Sequence, residues 1–132
     1  MRKIFLLLVL TISFVSSAGV DVIVHPSNAD AFSKSDISRI FLGKAKTFPG
    51  GAQAVPINQA EGSEVTKNFN SLVLSKSSSQ LKAYWSKLVF TGKGTPPKDV
   101  INDSEMIQLI SSNPNMIGYV PSGSAGSEVK II

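Results

Sequence analysis

The chain has 132 residues, with 13 basic and 9 acidic side chains, one histidine and no cysteine. Without cysteine there can be no disulfide scaffold, zinc ribbon, thiol redox site, cysteine nucleophile or lipid-bearing N-terminal cysteine. The net charge of +4 is mild, and the basic residues form no long run or basic-aromatic stripe, so a nucleic-acid partner is not expected.

Arg2 and Lys3 precede the apolar run "IFLLLVLTISFV", and Ser16-Ser17-Ala18 follows with small residues at both cleavage-determining positions. This is the pattern of a secretory signal cut after Ala18, and the run is short for a membrane span. The expected mature domain is residues 19–132, long enough for one domain with one core. It keeps 11 basic and 9 acidic groups once Arg2 and Lys3 are gone, so its net charge is +2. A secreted chain of this size without disulfides suits the bacterial periplasm.

Val20–His25 is rich in β-branched residues and reads as a buried strand. Ser33 offers an N-cap with Asp36 in the first turn, and Ile37, Ile40 and Phe41 share one helical face. Gly43 closes that helix as a left-handed cap. "AVPI" is a short second strand. Val65, Phe69, Leu72 and Val73 form the stripe of an amphipathic helix. Ser77–Ser79 breaks it and caps the next, where Leu81, Tyr84, Trp85, Leu88 and Val89 give the cleanest helical stripe in the chain. Tyr84 and Trp85 are therefore expected in the core. "TGKGTPPKD" reads as a loop on composition. Asn102 starts another helix, which Asn113-Pro114-Asn115 ends. Ile117–Val120 and Val129–Ile132 are strands. The alternation predicts an α/β fold, a small mixed sheet with helices on both faces.

Chemistry has few places to sit. His25 is the sole histidine, at a strand end, and without companion ligands a metal site is not expected there. No "GxSxG" elbow is present, so hydrolase chemistry is not expected. "FTGKGTPP" lacks the first glycine of the nucleotide-binding P-loop. Lys44 and Lys46 complement the end of the first helix. The stretch "QAEGSEVT", Gln59–Thr66, lies between strand and helix. Such a junction can cradle an anion on free backbone N–H groups. It can equally be a capped helix start, with Ser63 as cap and Glu64 against the dipole. The carboxylates of Glu61 and Glu64 favour the capped helix.

Three stretches, "DVIVHPSN…SKSDISRIFLGKAKTFPGG…VPINQAEGS", "VFTGKGTPP" and "NPNMIGYV", resemble the phosphate-binding proteins of bacterial ABC transporters, and more closely a short secreted branch labelled phosphate ABC transporter substrate-binding protein. The resemblance runs from Val20 to about Ile132. It implies the type II periplasmic binding protein fold, in which two lobes close like a hinge on the ligand. It also implies that this chain matches the second lobe only, with no counterpart of the first. In that family the second lobe brings an Arg and a Gly-Ser-Gly-Thr turn to the phosphate. The turn aligns with Gly62, Ser63, Glu64 and Val65, of which the first two match, and the Arg position falls at Gln59. Gln carries no charge to pair with phosphate.

The implied ligand contacts are Gln59, Gly62 and Ser63, with Ser27 and Asn28 at the end of the first strand. The implied function is non-enzymatic, without cofactor or metal: weak binding of phosphate or another small anion. A second lobe from another copy of the chain would complete the site. The other expectation is a periplasmic interaction or sensor module, acting on a transporter or membrane-bound sensor, that keeps the lobe fold without tight phosphate binding.

Overall fold

The structure, a computed structural model, describes residues 19–132, so the expected signal segment lies outside the described residues. The first strand, β1 (Val20–Val24), buries Val22, Ile23 and Val24, which alternate between the two faces of the sheet. Helix α1 (Lys34–Phe41) opens with a reciprocal capping box. The Ser33 hydroxyl accepts the Asp36 N–H at 3.1 Å, and the Asp36 carboxylate accepts the Ser33 N–H at 2.9 Å. Those bonds hold the Asp36 carboxyl below its usual range, the backbone one most strongly. The helix buries Ile37, Ile40 and Phe41 and ends before Gly43, at φ +72°.

Strand β2 (Val55–Gln59) leads through a turn into α2 (Glu64–Phe69), which continues as a π-helical stretch, Asn70–Leu74. Helix α3 (Ser78–Phe90) starts with a second capping box, Ser77 with Gln80. Strand β3 (Lys98–Val100), helix α4 (Asp103–Ser112) capped by Asn102, and strands β4 (Met116–Pro121) and β5 (Lys130–Ile131) complete the chain.

The five strands form one mixed sheet in the order β3-β2-β4-β1-β5. β2 runs parallel to β3 and β4, whereas β1 is antiparallel to β4 and β5. One face of the sheet, with Val22, Val24, Ile117 and Tyr119, packs against α1 and α2. The other, with Ile23, Ile57 and Val120, packs against Met106 and Ile110 of α4. Gly118 lets α4 sit that close, since a Cβ there would collide with the Met106 sulfur. The expected α/β class and two-faced layering are present.

Three elements differ from expectation. The stripe of α2 loses its phase in the π-helical stretch, which buries Asn70 and Leu74 and leaves Leu72 49% exposed. Lys98-Asp99-Val100 is a strand, although its composition reads as loop. It pairs in parallel with Ile57–Gln59, and only Val100 is buried. Partner geometry decides there, not local propensity. Helix α3 forms with the expected stripe but buries no residue. Tyr84 and Trp85 are half-buried, not core. The Tyr84 hydroxyl donates to the Leu42 carbonyl at 2.6 Å, and Trp85 leans over Gly43, where a Cβ would lie 3.2 Å from the ring. Periodicity announces an apolar face; it does not supply a partner to cover it.

Candidate ligand-binding site

Because β2 and β4 are parallel, their C-terminal ends share one edge of the sheet. Tyr119 lies there, fully buried, its ring stacked on Phe69 with centroids 3.9 Å apart and planes 4° from parallel. Phe41 packs its edge toward Phe69 at 4.6 Å. A buried phenol needs partners. The Tyr119 hydroxyl accepts the Gln59 N–H at 3.2 Å and lies 3.0 Å from Asn58 Oδ1 and 3.2 Å from Thr66 Oγ1. Burial, more than any other cause, pushes the Tyr119 pKa up.

The Gln59 side chain belongs to the same scaffold. It is 3% exposed, and its amide donates to Asp103 Oδ1 at 2.6 Å and to the Tyr119 carbonyl at 3.1 Å. Both amide hydrogens are thereby engaged within the protein, so Gln59 offers none to a ligand.

The "QAEGSEVT" turn closes with the Ser63 N–H donating to the Ala60 carbonyl at 3.1 Å. Gly62 stands exposed at φ +84°, a conformation glycine adopts without strain. Ser63 is the N-cap of α2: its Oγ accepts the Thr66 N–H at 3.3 Å and donates to Thr66 Oγ1 at 2.8 Å. Thr66 Oγ1 in turn donates to the Ala60 carbonyl at 3.2 Å. The Ser63 hydroxyl is thus spent on the turn. Glu64 and Val65 occupy the first two helical positions, whose N–H groups have no partner within a helix.

Ser27 and Asn28 do not join this group. Val24 pairs with Ile117 at the start of β4, and Val20 with Pro121 at its end. The C-terminal end of β1 therefore points away from the C-terminal ends of β2 and β4. Gln59 lies level with the end of β4, about 10 Å along the strand direction from the Val24–Ile117 pair, before the loops diverge further. The expected set assumed that strand ends converge, which holds for parallel neighbours only. Ser27 bonds instead to His25 Nδ1 at 2.8 Å, and the Asn28 carbonyl accepts Lys130 Nζ at 2.9 Å.

The edge also gathers carboxylates. Asp99, the middle residue of β3, has its pKa raised by partial burial and then by the Glu61 charge. Asp103 is bonded to Gln59. Among the described residues no group of three or more His, Cys, Asp or Glu side chains could hold a metal ion. Beside this edge a cavity of about 620 Å³ opens between the end of β2, the π-helical stretch and α3. Another, of about 790 Å³, lies on the other flank of α3. Sequence reasoning missed Tyr119, Thr66 and Asp99. Tyr119 alone carried a signal: a tyrosine inside an apolar strand has a hydroxyl to satisfy.

No family model matches the sequence, and no curated protein matches it. Solved structures match its fold. An ABC-type phosphate transport receptor from Vibrio cholerae superposes at a TM-score of 0.68 with 18% identity, covering 86% of this chain and 45% of that one. A protein from Clostridium perfringens described as a phosphate ABC transporter substrate-binding protein, with phosphate bound, gives 0.69 and 20%, covering 86% and 44%. PstS from Borrelia burgdorferi gives 0.64 and 17%, covering 86% and 46%. At these identities the likeness is one of fold. The chain spans less than half the length of each and has the architecture of one lobe of a periplasmic binding protein.

Proposed function

We propose that this chain is a secreted solute-binding lobe of the periplasm, linked to ABC-type phosphate transport, that takes phosphate or another small anion at the Gly62–Ser63 turn. The observation that carries this reading is the one-lobe match, over 86% of the chain, to receptors for phosphate transport. The signal-like first 18 residues agree with it. The ligand contacts are the backbone N–H groups of Glu64 and Val65 at the start of α2. Gly62 keeps the approach clear, and Ser63 holds the turn. Binding involves no covalent chemistry and no cofactor.

Affinity is low for a physical reason. Glu61 and Glu64 flank the turn, and Gln59, which the family resemblance sets at the position of an arginine, is uncharged and buried. A second lobe, supplied by another copy of the chain, would add donors and exclude water, and both strengthen an ionic contact. The acidic rim and the uncovered face of α3 favour a second reading, a module that binds a transporter or sensor protein through this lobe.

The test is thermal unfolding of the protein with phosphate, against sulfate at matched ionic strength. A ligand at about a hundred times its dissociation constant adds roughly 2.7 kcal/mol of stability. A phosphate-specific rise in Tm at millimolar concentration is expected. Equal shifts with both anions, or none, would favour the interaction module.

A further inference from the structure

The cavity between α3 and the ends of β2 and β3 has a chemistry different from that of the turn. Phe41 and Leu74 from the body, Trp85 and Val89 from α3, and Pro97 beyond it make its walls apolar. Its volume of about 620 Å³ lies within the range of small-molecule sites. Phe90, 92% exposed, stands at its rim, a large apolar side chain left in water.

Two polar features interrupt the apolar lining. Asn70 is 7% exposed and sits where α2 gives way to the π-helical stretch. Its backbone carbonyl accepts the N–H groups of Ser75 and Lys76. Its side-chain amide lines the cavity and faces water there rather than bonding to another described residue. No fully buried side-chain polar atom is left unpaired among the described residues, so the Asn70 amide is open to the water of the cavity and free to meet a polar group of a ligand there. π-helical insertions also concentrate at functional sites. The second feature is the pair Glu61 and Asp99, which both line the cavity and repel one another. Lys82 lines it too, so two carboxylates face one ammonium.

We propose that this cavity binds a small organic cation with an aromatic or branched apolar body. The ammonium sits between Glu61 and Asp99, a polar group meets the Asn70 amide, and the body lies against Trp85. A cation relieves the carboxylate repulsion, which a neutral ligand leaves in place and an anion worsens. The Trp85 ring adds attraction for positive charge at its face. Inorganic phosphate has neither the charge nor the apolar surface for this cavity, so it and the cation use different groups, with Glu61 bordering both.

Trp85 is the only tryptophan, so its fluorescence reports on the cavity directly. The probes are biphenylethylamine, biphenylethanol and biphenylacetate, which share a body and differ in charge. The amine is expected to change Trp85 emission saturably, the alcohol to bind several-fold more weakly and the acid most weakly. Glu61→Gln and Asp99→Asn, both at exposed positions, should each weaken the amine by about threefold and leave the alcohol within about twofold. Equal affinity for amine and alcohol, equal losses for both in the variants, or no saturable change with the amine would overturn the proposal.

Discussion

The Tyr119 cluster and helix α3 are both aromatic, and they are built in opposite ways. At Tyr119, rings from α1, α2 and β4 enclose one another, and the hydroxyl has partners on β2 and α2. Around α3, Tyr84 and Trp85 meet edge to face with centroids 5.1 Å apart, yet no residue of the helix is buried. The first region has little left to offer a ligand. The second leaves apolar surface and an unpaired amide in the open. Aromatic content alone therefore does not locate the core. What decides is whether other elements close over the rings and whether their polar atoms find partners.

This contrast can be broken by mutation. Phe69→Ala removes the stacked ring from a site with no exposure and should cost about 3–5 kcal/mol in chemical denaturation. Trp85→Ala deletes a larger ring and should cost less than Phe69→Ala; the reverse order would show that α3 is core after all. Tyr119→Phe should cost about 1–3 kcal/mol, because the Gln59 N–H loses its acceptor. It should also change the response to alkali. The unfolded tyrosine ionises near its ordinary value of 10.0, while the folded one keeps its proton to higher pH. The Tyr119 contribution is thus fully present below pH 10 and is lost as pH rises through the folded pKa, so the native protein should weaken above pH 10 more steeply than the variant.

Ser63→Ala removes the α2 cap and should cost about 1 kcal/mol. Asn70→Leu exchanges an amide open to the cavity for an apolar side chain of similar size and should change the stability of the free protein by no more than about 1 kcal/mol. Phe90→Ser should change stability by no more than about 0.5 kcal/mol, since its ring is already in water.

Much of the local structure was legible in the sequence. The Ser33–Asp36 box, the Ser77 and Asn102 caps and the Gly43 terminator each act through bonds within a few residues, so their signals are short-range. Strand direction is not of that kind. Nothing in "DVIVH" says that β1 runs against β4, and that single fact separates Ser27 and Asn28 from the turn at Gly62. β3 exists because β2 lies beside it. The family resemblance implies Gln59 as a ligand contact. Gln59 stands at that edge of the sheet, but its amide is consumed by Asp103 and by a carbonyl 60 positions away. The site's donors and their competitors are fixed by long-range pairing, which periodicity and capping do not encode.

The most direct test of the central claim is an amide-resolved NMR titration of the protein with phosphate, with chloride as the ionic-strength control. Saturable, phosphate-specific shifts are expected at the Gly62, Glu64 and Val65 N–H signals, with the Ser27 and Asn28 signals unmoved. Phosphate shifts that match those of chloride, or that centre on the end of β1 instead, would contradict that claim.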